Sequence, residues 1–325
     1  MEDNFHASVC ISGAVLVVTF SLTAAVLNSL QLIVLWKDPT QSLRSSTTVY
    51  IASLSVLHMC CALIAGTAST ESYIACAQGK EQSPHFGKEF TRISFAFFVR
   101  VESFVIVAFA TERLGSIRFP VFYQGGRYKA KNAFACVVCI ILYSLCFSIF
   151  DMIAGKFWIR RLDAHLNTIP IVAIIAMAAI LYHSLRKLNI LQLQNNGCDI
   201  SLRESPEESH THRLKKQRPF ANAFILIAVL FVVSIIPYIV FSLYEVHCSE
   251  CYKQEWFVTA MRISIAMTFV TKAANPFVYY ACVKDFREGF KILFCGKLQP
   301  QNFFLKHLRR NYNKGAPGTV PVIYL

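Results

Sequence analysis

Charge is what this chain has least of. Asp, Glu, Lys and Arg make up 16% of its 325 residues, where an ordinary soluble domain carries about 25%. The hydrophobic share is 55% and the mean hydropathy is +0.45. A soluble enzyme of this size needs polar stretches between its apolar runs, and here those runs are too long and too evenly spaced. Other absences narrow the function. The chain has no phosphate-cradling glycine loop, no nucleophile–base set and no metal motif, so neither an enzyme nor a cofactor is indicated. It has no Asn-x-Ser/Thr acceptor for N-glycosylation. Its first apolar run follows Glu2 and Asp3, lacks a basic leader and has no Ala-x-Ala cleavage site after it, so it is taken as a retained helix.

What is present is a series of apolar segments. A spanning helix needs about 20 apolar residues, and seven segments qualify: 9–36, 46–70, 90–116, 131–154, 166–190, 217–245 and 256–282. The fold class expected is an all-α membrane protein, a seven-transmembrane helix bundle. Residues 1–8 form an outer N-terminus and 9–282 the bundle. Residues 283–295 form a short amphipathic surface helix and 296–325 an inner tail. Phe286, Phe290 and Leu293 share one face of the surface helix, away from Lys284, Arg287 and Lys291, which suits the membrane surface. Cys295 at its end is a candidate for palmitoylation.

The net charge of +13 taken alone points to nucleic acid, but its distribution points to lipid. Lys37, Arg44, Arg118, Arg127, Arg186, Lys187, Arg213, Lys215, Lys216 and the tail lie on one set of loops. Basic loops stay cytoplasmic, which puts the N-terminus outside and the C-terminus inside at the plasma membrane. The excess charge then faces anionic inner-leaflet lipid. Most cysteines lie in apolar segments as small packing residues. Cys248 and Cys251 sit in an outer loop, where a disulfide is favoured over free thiols.

Polar residues inside spanning segments are costly and face the bundle interior. The third segment holds Arg92, Arg100, Glu102, Glu112 and Arg113; the seventh holds Arg262 and Lys272; the second holds His58; and the first holds a lone Asn28. The seventh also carries Asn275-Pro276-Phe-Val-Tyr279, and the sixth carries Phe231 and Pro237. Each proline removes a backbone donor and kinks its helix.

Taken in order, these residues resemble the rhodopsin-like (class A) family of G-protein-coupled receptors. Asn28 matches its helix-one asparagine. Glu112-Arg113-Leu114 looks like its Asp/Glu-Arg-Tyr motif with the tyrosine replaced. Pro120 follows at the family spacing, and Tyr182 fits the inner helix-five tyrosine. Phe231 and Pro237 match the helix-six aromatic and kink, and Asn275 to Tyr279 make a full Asn-Pro-x-x-Tyr. The resemblance covers about 9–295. It implies an extracellular ligand, a heterotrimeric G protein and arrestin as partners, in a bundle that switches between two arrangements. Helix six swings about its proline, and Tyr182 and Tyr279 rearrange toward Arg113. A transporter or channel would need repeat symmetry between halves, which is not seen. A receptor-like protein that does not couple stands as the other alternative.

The departures from the family are specific. His58 stands where the family has an aspartate that holds sodium, and the partner positions on helices three and seven hold Glu102 and Lys272. The resemblance therefore implies that Lys272 replaces the ion as a built-in cation. A retinal Schiff-base lysine would fall at Phe269, which argues against photoreception. The aspartate of amine receptors is replaced by Phe95. Arg92, Phe95, Val99, Tyr238 and Arg262 are the ligand-pocket candidates, the arginines suiting a carboxylate or phosphate. The family's helix-three cysteine is replaced by Lys88, so its usual disulfide is expected to be missing. The second outer loop, near Phe157-Trp158-Ile159-Arg160, is read as short. That loop and the third-loop cysteines are similar to those of melanocortin-type receptors. Gln217 replaces the acid that usually clasps the helix-three arginine, so raised basal activity is expected.

Overall fold

The structure is a computed structural model that describes residues 2–39, 45–79, 85–118, 130–154, 157–195, 206–248 and 254–296. Pro120, Cys251 and the tail after Gly296 lie outside the described residues, as do the side chains of Lys88, Lys215, Lys216 and Gln217. Eight helices follow one another: α1 (Glu2–Lys37), α2 (Ser46–Ala77), α3 (His85–Arg118), α4 (Ala130–Ala154), α5 (Phe157–Asn195), α6 (Pro206–His247), α7 (Glu255–Cys282) and α8 (Lys284–Cys295). The first seven are long and apolar enough to cross a membrane, and no strand occurs among the described residues. In lipid a chain must satisfy its backbone within each segment, which an α-helix does.

α3 is the axis of the bundle. It packs on α2, α4 and α5, while α4 and α5 barely touch each other. α1 packs on α2 and α7, and α6 packs between α5 and α7. The core is aromatic and aliphatic: Tyr50, Phe109, Phe224, Phe231 and Phe269 are all fully buried. Leu22, Phe134, Val172, Val233 and Phe277 point outward and are more than half exposed. An apolar exterior of that extent suits contact with hydrocarbon rather than water.

Ser45 caps α2, its hydroxyl accepting from the Thr48 amide. α8 follows α7 after one residue and ends at Gly296, whose φ of 61° lies in the left-handed region that glycine adopts without strain. Its buried face holds Phe286 and Gly289. A side chain at Gly289 would press on Val34 and Pro39 at the end of α1.

Two expectations need correction. The second outer loop does not run through Phe157–Arg160, because α5 begins at Phe157. The charges that broke its apolar run are neutralised by other helices: Asp163 pairs with Arg100 of α3, and Arg160 with Glu89. The polar stretch 191–216 is not one loop either, since α5 continues to Asn195 and α6 starts at Pro206. Residues 2–8, expected to lie outside, are helical and form the first turns of α1.

Candidate functional site

Deep in the bundle, three charged or polar side chains meet. His58 Nε2 lies 2.9 Å from Glu102 Oε1, and Lys272 Nζ donates to Glu102 Oε2 at 2.8 Å. All three residues are 1% exposed. Each oxygen of the carboxylate thus has its own partner, one from α2 and one from α7. The sequence had placed these residues in a replaced sodium pocket, and the fold brings them together.

One turn below, proline chemistry explains a further contact. Pro276 has no N–H, so the carbonyl of residue 272, four positions earlier, lacks its helical donor. Asn28 supplies one from α1: its Nδ2 donates to the Lys272 carbonyl at 3.0 Å and to the Ala24 carbonyl at 2.8 Å. The helix-one asparagine is therefore a staple to the α7 kink. On the other side of α7, Thr271 Oγ1 donates to Ser234 Oγ at 2.6 Å, linking α7 to α6 within a turn of Pro237.

At the end of the bundle carrying Glu112 and Arg113, the arginine is closed down by its neighbour. Its Nε and a terminal nitrogen each donate to Glu112 at 2.6 Å. Ser46 of α2 donates to the same carboxylate at 2.7 Å. Phe109 lies beside the guanidinium, 5.9 Å from ring centroid to Cζ, and meets Phe224 of α6 edge to face. Tyr279 is buried, and its hydroxyl has no hydrogen-bond partner among the described residues. Phe231 and Asn275 are buried as well. The structure does not bring Tyr182 here. Its side chain is 59% exposed, because Ile174, Leu181 and Leu185 form the buried stripe of α5 and Tyr182 lies off it.

The ligand-pocket candidates fall in three places. Phe95 and Val99 of α3 are buried with Tyr238 of α6, the Phe95 and Tyr238 rings meeting edge to face at 4.9 Å. Phe269 packs on the other side of Phe95. Arg92 turns instead toward α4, donating to Asp151 at 2.8 Å and to Glu89 at 2.9 Å. Arg262 lies across the bundle against a disulfide. The five residues therefore do not line one cavity in this arrangement.

Two features escaped the sequence reading. The first is the disulfide Cys10–Cys76, which ties α1 to α2. Two cysteines at the same end of neighbouring antiparallel helices were the available signal. Cys248 is also disulfide-bonded; Cys251, its expected partner, lies outside the described residues. The second is a buried link between α3 and α5. Arg100 pairs with Asp163, donates to Ser148 and the Ser144 carbonyl at 3.2 Å each, and stacks on Phe147. Asn167 donates to the same Asp163 at 3.2 Å. No group of acidic, cysteine and histidine side chains suited to a metal occurs among the described residues.

A family model described as "7 transmembrane receptor (rhodopsin family)" matches residues 162–279, which run from the first turns of α5 to Tyr279. With its seven helices long and apolar enough to cross a membrane, the chain has the build of a multi-pass membrane protein, and over α5 to α7 it is similar to receptors of the rhodopsin family. Among curated proteins it is similar to the proto-oncogene Mas of Mus musculus. The identity is 22% over 287 residues, covering 83% of this chain and 80% of that protein.

Proposed function

We propose that the receptor passes ligand binding to a G protein by opening the clasp around Arg113. The observation that carries this reading is the closed geometry itself: Glu112 holds Arg113 through two short bonds while Ser46 holds Glu112. A guanidinium held this way is kept from an outside partner. A ligand that favours a second arrangement shifts the bundle toward it. In that arrangement α6 swings about Pro237 and the Thr271–Ser234 bond parts. Phe231 and the kink at Asn275 and Pro276 absorb the movement. Tyr279, whose hydroxyl is buried, and Tyr182, now on the outer face of α5, turn toward the freed Arg113. The G protein then meets Arg113 and the basic inner loops, and arrestin meets the same face.

In this reading the protein lies in the plasma membrane with its N-terminus outside and basic loops inside, and it catalyses no reaction itself. Residues 1–8, the bundle 9–282, the surface helix 283–295 and the tail 296–325 divide the work. The exposed thiol of Cys295 carries palmitate, and with the apolar face of α8 it rests in inner-leaflet lipid. Lys272 serves as a tethered cation in place of sodium, held by Glu102 with His58 alongside. The pocket for the ligand includes Phe95, Val99 and Tyr238.

The test is Arg113→Ala in a second-messenger panel in cells, with surface expression measured alongside. Signalling, basal or ligand-driven, falls to background while surface expression stays near wild type. Signalling that persists at wild-type level would overturn the proposal.

A further inference from the structure

Between α1 and α7, at the end of the bundle that carries Glu2, lies a groove of about 410 Å³. That volume falls in the range of small-molecule sites, about 300–1,000 Å³. Its lining runs from Ser8 to Phe20 on α1 and from Arg262 to Val270 on α7. At 1.5 Å per residue this is a slot roughly 12–18 Å long, parallel to the helices. Leu16, Met267 and Val270 line it and are 47%, 39% and 42% exposed. They lie inside membrane-crossing segments, so the groove opens sideways into the bilayer rather than into water.

Its chemistry is sharply divided. The lining is apolar along most of its length, and Arg262 is the one charged side chain among the described residues that form it. The guanidinium sits at the end of the groove nearest the start of α7, over the sulfurs of Cys10 and Cys76. Ser8 and Ser12 line the same end. The inner wall is built for close contact: a side chain at Gly13 would strike the Tyr73 ring at 2.4 Å. Tyr73 in turn donates its hydroxyl to the Arg262 carbonyl, which fixes the arginine's backbone at the mouth of the slot.

We propose that this groove binds a single-chain lipid carboxylate taken from the outer leaflet, its head on Arg262 and its chain along Leu16, Met267 and Val270. A guanidinium matches a carboxylate through paired N–H donors, and a long narrow apolar slot opening into lipid matches one extended alkyl chain. The assignment rests on the membrane orientation proposed above and adds a lipid site separate from the Phe95, Val99 and Tyr238 pocket. Binding is read directly, so it is separable from coupling.

The experiment uses the full chain in phosphatidylcholine nanodiscs with a diazirine-bearing palmitic acid, and with the alcohol of the same chain as the neutral probe. Cross-links are mapped by mass spectrometry. The acid labels the α1 and α7 walls of the groove. Labelling falls about tenfold in Arg262→Gln, as loss of a charge-assisted contact implies, and survives in Arg262→Lys. Val270→Trp, which fills the slot without touching Arg262 or the disulfide, abolishes it. Labelling scattered over the whole lipid face, equal for acid and alcohol, or unchanged in both Arg262→Gln and Val270→Trp would overturn the proposal. Absence of second-messenger signalling with groove labelling intact would count against coupling and leave the site standing.

Discussion

Lys272 and Glu102 are each 2% exposed at the side chain and lie 2.8 Å apart, and this pair yields the sharpest prediction. In Lys272→Met, Glu102 keeps only His58 as a partner, and removing one member of a buried pair costs about 3–5 kcal/mol. Glu102→Leu leaves a buried ammonium and costs a similar amount. The double variant Glu102→Leu/Lys272→Met removes both charges. Replacing a whole buried pair by apolar side chains is often neutral or stabilising by about 1–4 kcal/mol. Against that stands His58, which loses its Nε2 partner at about 1–3 kcal/mol. The double variant therefore lies within about 2 kcal/mol of wild type, and the coupling in the cycle exceeds roughly 3 kcal/mol, over a hundredfold in the unfolding equilibrium. Cys61 is free and buried in the same region, so its alkylation during a thermal ramp in detergent reports the unfolding. Sodium supplies the second arm. Wild type shows the same midpoint in sodium chloride and in choline chloride. Lys272→Ser, which vacates the space and leaves the carboxylate, gains stability in sodium alone. Additive losses in the double variant, or a wild-type midpoint raised by sodium, would refute the tethered-cation reasoning.

Three further outcomes are expected. Ser46→Ala removes a hydrogen bond of about 1.5–3 kcal/mol to the Glu112 carboxylate; basal second-messenger output rises at equal surface expression, and an unchanged basal level would contradict the clasp. Asp163→Asn leaves Arg100 buried beside a neutral amide and costs about 3–5 kcal/mol. Surface expression collapses, and adding Arg100→Met restores much of it. Gly66→Val drives a Cβ to within 2.4 Å of Ser21 Oγ and lowers the thermal midpoint by overpacking of about 1–3 kcal/mol; Ser21→Gly in the same chain recovers part of the loss.

The helix count, the surface helix and the class of protein were legible because lipid imposes a hydropathy signal that local sequence carries directly. Proline and asparagine marked the place where a carbonyl of α7 takes its donor from α1 for the same reason, since a missing N–H is a property of one residue. The His58, Glu102 and Lys272 contact could be read only through the family's spacing, as nothing in helical periodicity pairs residues on three different helices. The start of α5 was misplaced because Arg160, Arg161 and Asp163 read as loop until Arg100 and Glu89 are known to face them. The Cys10–Cys76 bridge was missed since distance along the chain says nothing of which cysteines meet. Arg92 and Arg262 looked alike in sequence, both near helix ends. Only the packing separates them, one committed to acids on α3 and α4, the other placed over a disulfide.

The Asn28 staple has a mechanical consequence. With Cys10–Cys76 riveting α1 to α2 near one end and Asn28 standing in for the amide that Pro276 lacks, α1, α2 and α7 as far as Lys272 make a stator. The carbonyl that Pro276 leaves without its helical donor is satisfied from a neighbouring helix, with α1 docked against α7. In the proposed switch the turning then falls to α6, whose side-chain link across to α7 is a hydroxyl pair rather than a covalent bond, and to α7 beyond Pro276.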